Sequence, residues 1–354
     1  MIATGSAPLL TAGPPAGADR LALAATPGSP RRLSYRPELD GLRAIAVTLV
    51  LIGHGTPIGA SGSVGVTLFF VLSGFLITAL LRTELDRTGH IARAAFYIRR
   101  ARRLLPALAA FLAVMMLIGA ASIGQTLASA LYVSNWVAAG GSNLGVLAHT
   151  WSLAVEEQFY LLWPLAIVLL PRRALGPVLL AIVVAGATVR LFPIALWVDA
   201  FSRFDAIGWG CLLGLAFSEG RLSRPRGWLL GVAIIALGAC AFVPDVSVTV
   251  RFGNSIAAAA SAIVVAGVVT RAPRWLTATP LVALGRVSYG VYLWHLPIFV
   301  IATSRVPTGA WPVAVLIGTG LTLIAAATSW RVVERPFERR RAAAPDGISL
   351  KTVA

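Results

Sequence analysis

The chain has 354 residues, of which 57% are hydrophobic and 12% charged, with a mean hydropathy of +0.81, a composition that excludes an ordinary soluble multidomain protein and places it among integral membrane proteins. Basic residues number 30 against 14 acidic ones, and all but one of the 30 are arginine, giving a net charge of +16. Because the arginines lie between apolar stretches, they read as residues retained on the cytoplasmic side during insertion and not as a nucleic-acid surface.

Residues 1–34 are rich in Ala, Gly and Pro and hold no basic cluster followed by an apolar run. They are expected to be a disordered cytoplasmic lead without a cleavable signal peptide. A helix needs about 20 apolar residues to cross about 30 Å of hydrocarbon. Ten stretches qualify, at 41–59, 63–81, 104–122, 150–170, 174–192, 204–218, 227–243, 252–270, 284–303 and 311–331, the sixth and seventh being short. The apolar stretch 125–148 is broken by Gly140, Gly141 and Asn143, so it is expected to be a re-entrant or interfacial connection. With the N-terminus inside, only Arg190, Arg203, Arg251 and Arg305 fall near the outer side, leaving 26 basic residues near the inner one. The expected fold is an all-α integral membrane protein, a bundle of about ten transmembrane helices with both termini cytoplasmic. Residues 35–340 form its membrane domain, and 341–354 a cytoplasmic tail. Such a chain is multi-pass in the plasma (inner) membrane. Cys211 and Cys240 both sit in apolar stretches and indicate neither a disulfide framework nor a Cys-based zinc site.

Ionisable groups inside a membrane are costly, so each needs a reason. The first span carries Asp40, Arg43 and His54. Arg43 and His54 fall on one helical face, about 16 Å apart along the axis, and Asp40 is one turn before Arg43, where it can pair with it. The structural alternative makes Arg43 an inner-face anchor and His54 a polar contact between helices. The fourth span opens with His149, Trp151 and Ser152, followed by Glu156, Glu157 and Tyr160. His149, Glu156 and Tyr160 share a helical phase, and Glu157 points about 100° away, so the two carboxylates are not expected to face one cavity. A proton relay and a helix-packing carboxylate fit equally. Ser288, Tyr292 and His295 lie on one side of the ninth span, with His295 near the midplane beside Pro297, a position suited to lining a cavity. Just before the third span stand Arg99, Arg100, Arg102 and Arg103. Guanidinium groups at this density suit the phosphates of a nucleotide ligand or of anionic lipid headgroups.

Taken together these motifs resemble the membrane acyltransferase family 3, whose first span carries an Arg and a His with ten residues between them. Here they are Arg43 and His54, preceded by Arg-Pro-Glu-Leu-Asp-Gly-Leu at 36–42. The resemblance continues through Leu-Phe-Phe-Val-Leu-Ser-Gly-Phe-Leu-Ile at 68–77, the arginine cluster, Trp-Ser-Leu-Ala-Val-Glu-Glu-Gln-Phe-Tyr at 151–160, Ser-Tyr-Gly-Val-Tyr-Leu-Trp-His at 288–295 and Glu-Arg-Pro at 334–336, covering about residues 35–340. It implies ten helices with cytoplasmic ends, required roles for Arg43 and His54, and transfer of acetyl or other short acyl groups from acyl-CoA, chiefly acetyl-CoA, to hydroxyls of carbohydrate-containing acceptors. Surface polysaccharide, lipid-linked glycan and macrolide sugars are all acceptors of that kind. Many members have Asp where this chain has Thr67, and some carry an appended esterase-like domain, for which this chain ends too soon.

Acyl transfer to an alcohol needs a base for the hydroxyl proton, and a neutral histidine suits it. His54 is the expected base, and an acyl-His54 intermediate is the less favoured route. Neither sequence nor resemblance identifies the oxyanion donor; Tyr292, His295 and Trp151 are the candidates. Arg43 and the arginine cluster are assigned to the nucleotide and pyrophosphate of coenzyme A, with no metal and no nucleic acid. The competing class is a proton-coupled transporter or an acyl carrier across the membrane, because midplane His and Glu also describe carriers, and a third reading is a non-catalytic scaffold or sensor.

Overall fold

The computed structural model describes residues 34–56, 60–191, 200–243, 248–305, 307 and 310–337. The expected lead and tail lie outside the described residues, which are helical or irregular and contain no strand. Helix α1, Pro37–Gly55, starts with Pro37 in its first turn, where the missing N–H is harmless, and carries Glu38 and Asp40 at its positive end. Helix α2, Ser61–Thr88, is capped by Gly89 at φ 73°, the left-handed position that ends helices.

Helix α3, Arg93–Leu117, begins eleven residues before the apolar stretch predicted at 104–122, because the arginine cluster continues the helix instead of preceding it. The stretch 125–148 folds as two short helices, α4 (Ile123–Ala130) and α5 (Ser134–Ala139), with a 3-10 turn at Gly145–Leu147. A capping box between Ser122 and Gln125 starts α4.

There follow α6 (Thr150–Leu169), α7 (Arg172–Val189), α8 (Ala200–Ser218), α9 (Gly227–Ala241), and α10 (Asn254–Thr270) behind a π-turn at Thr249–Gly253. The ninth predicted span is two helices, α11 (Thr279–Arg286) and α12 (Ser288–Ser304), bent by 71° at the break. Helix α13, Trp311–Ser329, runs into a second π-turn at Trp330–Glu334.

Each predicted stretch overlaps a helix, but only five of the described helices are long and apolar enough to cross a membrane, or six with the bent pair. Charges on α1, α3 and α8 and the 15-residue length of α9 keep these four outside that set. The chain is nonetheless a membrane protein by its outer surface. Leu180 and Val184 on α7, Ile234 and Ile235 on α9 and Leu316, Ile317 and Ile324 on α13 are all exposed, an apolar belt that only lipid can cover.

Backbones approach closely inside. A Cβ on Gly210 of α8 would lie 2.1 Å from the Val71 carbonyl oxygen of α2, and one on Gly74 would lie 2.2 Å from that of Ile207. Small residues give membrane helices this contact. In the same way Gly285 seats α11 on α1, where a Cβ would meet the Asp40 carbonyl oxygen at 1.9 Å.

Candidate active site

A cavity of about 190 Å³ opens between α1, α2, α3, α6 and the start of α12. Its lining brings together Arg43, Arg99, Arg100, Arg103, Ser152, Glu156, Glu157, Tyr160, Ser288 and Tyr292, residues that the sequence scatters over 250 positions. Arg102 is not among them: it is exposed on the far side of α3. Apolar walls come from Phe69, Phe70, Leu76 and Phe96.

Arg100 organises the charged end. It forms an ion pair with Glu157, with Nε 2.9 Å from Oε2, and reaches Glu156 at 3.6 Å. Its guanidinium carbon lies 3.3 Å from the Tyr160 ring centroid. Glu156 also accepts from the Ser73 hydroxyl at 2.6 Å. Both carboxylates therefore face the one cavity, contrary to the helical-phase expectation. The phase along α6 sets where the two Cβ atoms point, but a long arginine side chain arriving from α3 reaches between them.

Asp40 does not join this group. Its carboxylate accepts from the Tyr35 hydroxyl at 2.8 Å and lies 3.9 Å from Arg286 Nε. The expected Asp40–Arg43 pair does not form, because the Gly285 contact brings Arg286 of α11 onto Asp40, while Arg43 turns to the cavity.

At the other end Tyr292 forms the floor. Its hydroxyl is 2.6 Å from Ser152 Oγ and donates to the His149 carbonyl at 3.0 Å. Behind it stand three imidazoles in file: His149 and His295 with ring centroids 5.1 Å apart, and His295 and His54 at 5.0 Å. Backbone carbonyls fix their tautomers, since a carbonyl only accepts. The proton is thus on Nδ1 of His54 (to Val50, 3.0 Å), on Nε2 of His149 (to Leu293, 3.0 Å) and on Nδ1 of His295 (to Tyr292, 2.6 Å). Neutral His54 consequently presents a bare Nε2.

His54 lies in the last turn of α1, exposed, and does not line the cavity; Tyr292 and His295 stand between. Trp151 is buried against Phe70, outside the lining. Ser288 Oγ faces the cavity, buried and without a hydrogen-bond partner. Among the described residues no group of three or more His, Cys, Asp and Glu is placed to hold a metal ion.

A charged group that the motif reading passed over is also buried: Arg190 paired with Asp205, beside Arg203. Arg190 and Arg203 stand at helix ends, at the C-cap of α7 and in the first turn of α8, and both are enclosed by neighbouring helices. The available signal was three ionisable residues at the ends of two apolar stretches.

An all-helical bundle with an apolar belt, an arginine-rimmed cavity and a histidine file behind its floor defines a membrane protein built for group transfer. The family described as an acyltransferase domain matches residues 36–331, and the chain belongs to that acyltransferase family. O-acetyltransferase OatA of Staphylococcus aureus (strain NCTC 8325 / PS 47) is 32% identical over 358 residues, covering 88% of this chain and 58% of that protein. OatA of strain COL matches equally. A third relative, SAS0844 of strain MSSA476, whose name describes it provisionally as an O-acetyltransferase, is 29% identical over 87% of this chain. The chain thus spans 58% of the length of the curated relatives it matches. No solved structure matches it.

Proposed function

We propose that this chain is a membrane O-acyltransferase that moves an acetyl or other short acyl group from cytosolic acyl-CoA to a hydroxyl of a carbohydrate-containing acceptor. The observation that carries the reading is that Tyr292, on the cavity lining, leads through His295 to His54 by ring-to-ring steps of 5.2 and 5.0 Å. Ten helices cross the membrane with both ends cytoplasmic, so that the arginine end of the cavity opens to the donor. Arg99, Arg103 and Arg43 hold the phosphates of coenzyme A. Arg100, already committed to Glu156 and Glu157, shapes the wall and binds no phosphate. The acyl-bearing arm enters the cavity, and displacement of the Tyr292 and His295 side chains lets its thioester reach the His54 side. The bare Nε2 of His54 takes the acceptor hydroxyl proton as the oxygen attacks the thioester carbon. The C–S bond then breaks, and the His54 imidazolium returns its proton to the departing sulfur, so that coenzyme A leaves as the thiol and His54 is neutral again. The Tyr292 hydroxyl and Ser288 Oγ are the donors nearest the developing oxyanion.

Membership of an acyltransferase family favours the enzyme over the carrier alternative. Membranes containing the chain, incubated with radiolabelled acetyl-CoA and extracts of surface glycans, are expected to transfer label, and His54→Ala is expected to reduce transfer at least about 100-fold, the usual worth of a general base. Undiminished transfer by His54→Ala would sink the assignment. Arg99→Ala with Arg103→Ala is expected to raise KM for acetyl-CoA instead.

A further inference from the structure

The buried charges on α7 and α8 contain one more cation than the described anions around them. Arg190, Arg203 and Asp205 are 1%, 2% and 1% exposed. Asp205 is taken by Arg190, by the Ser255 hydroxyl at 3.2 Å and by the Ala206 backbone N–H at 2.7 Å. Arg203 meets no carboxylate within ion-pair distance among the described residues. Its Nη2 donates to the neutral Thr67 hydroxyl at 3.0 Å, and its guanidinium lies 5.7 Å from the Phe70 ring centroid and 5.6 Å from that of Trp151. Among the described residues its Nε has no acceptor, nor do Nε and Nη1 of Arg190. Arg203 feels the repulsion of Arg190 and, more weakly, the attraction of Asp205, which Arg190 already holds.

Water cannot neutralise a guanidinium placed this deep, and the unsatisfied N–H groups add to its cost. An anion would relieve both. We propose that Arg203, with Arg190 beside it, is a buried anion site that takes a small monovalent carboxylate. The open Nε stands next to the Nη2 that reaches Thr67, and such a parallel pair of donors fits the two oxygens of a carboxylate. A single excess cation selects against a doubly charged anion, and the Phe70 and Trp151 rings exclude large hydrated ones. Thr67 is what leaves the charge open: a carboxylate side chain there would fill the site from within. Because Phe70 lines the cavity, the filled site adjoins its wall. The site stands independently of the acyl-transfer reading.

The test is the thermal unfolding midpoint of the purified full chain in detergent, titrated with sodium acetate at ionic strength held constant with the bulky sulfonate HEPES, with sodium chloride in parallel. Acetate is expected to raise the midpoint of the unsubstituted chain saturably. In Thr67→Asp the midpoint without acetate is expected to match or exceed that of the acetate-saturated chain, and the apparent Kd for acetate to weaken at least about tenfold. Arg203→Met is expected to lose the response. No saturable response to acetate, a response confined to chloride, or the same Kd in Thr67→Asp or Arg203→Met overturns the proposal.

Discussion

Arg100 is the residue on which most of the cavity's charge depends. It stands between two carboxylates and over an aromatic face, with its side chain 20% exposed. Removing one partner of a largely buried pair costs about 3–5 kcal/mol, because the charge left behind has no counter-ion. Arg100→Met is therefore expected to lower the unfolding midpoint in detergent strongly, and the double variant with Glu157→Gln to recover part of the loss. Additive losses in that cycle would show that the two side chains do not couple. Most of the cavity's polar residues were legible in the sequence because a charge in an apolar chain stands out by its cost. Their pairing was not. Helical phase places Glu156 and Glu157 apart and Asp40 near Arg43, but contacts from α3 and α11 decide both cases, and no single-helix argument contains those partners.

The contact between α2 and α8 is set by glycine, and it holds the wall that carries Phe70, Val71 and Ser73. Gly210→Ala would drive a methyl into the Val71 carbonyl oxygen at 2.1 Å, so the helices must separate; overpacking of this kind costs about 1–3 kcal/mol. The expected result is a lowered unfolding midpoint together with reduced acyl transfer. Gly231→Ala on α9, where a Cβ meets nothing within 4 Å, is the control and is expected to leave both unchanged. The existence of the helices was readable from apolar length, and their ends were not. Arginine carries good helix propensity, so α3 runs through its charged cluster, and α2 extends through Thr88 on polar residues. The break between α11 and α12 leaves no mark in hydropathy. It lies next to the seating of Gly285 on α1, a tertiary contact.

For the molecule as a whole, composition was enough to place it in a bilayer, and the arginine bias gives the orientation proposed for it. The enclosure of particular residues was less readable: a hydropathy scan places Arg190 and Arg203 at the ends of apolar stretches, and the burial of both becomes visible only when α7, α8 and α2 pack together. The separation of His54 from the cavity lining has a kinetic meaning. In the proposed reaction donor and acceptor approach the three histidines from different sides, so neither needs to leave before the other arrives, and His54 need not store the acyl group between visits. Initial-rate measurements with both substrates varied are expected to give intersecting double-reciprocal lines, the mark of a ternary complex. Parallel lines would mean that the acyl group waits on the protein, and that the two approaches are used in turn and not together.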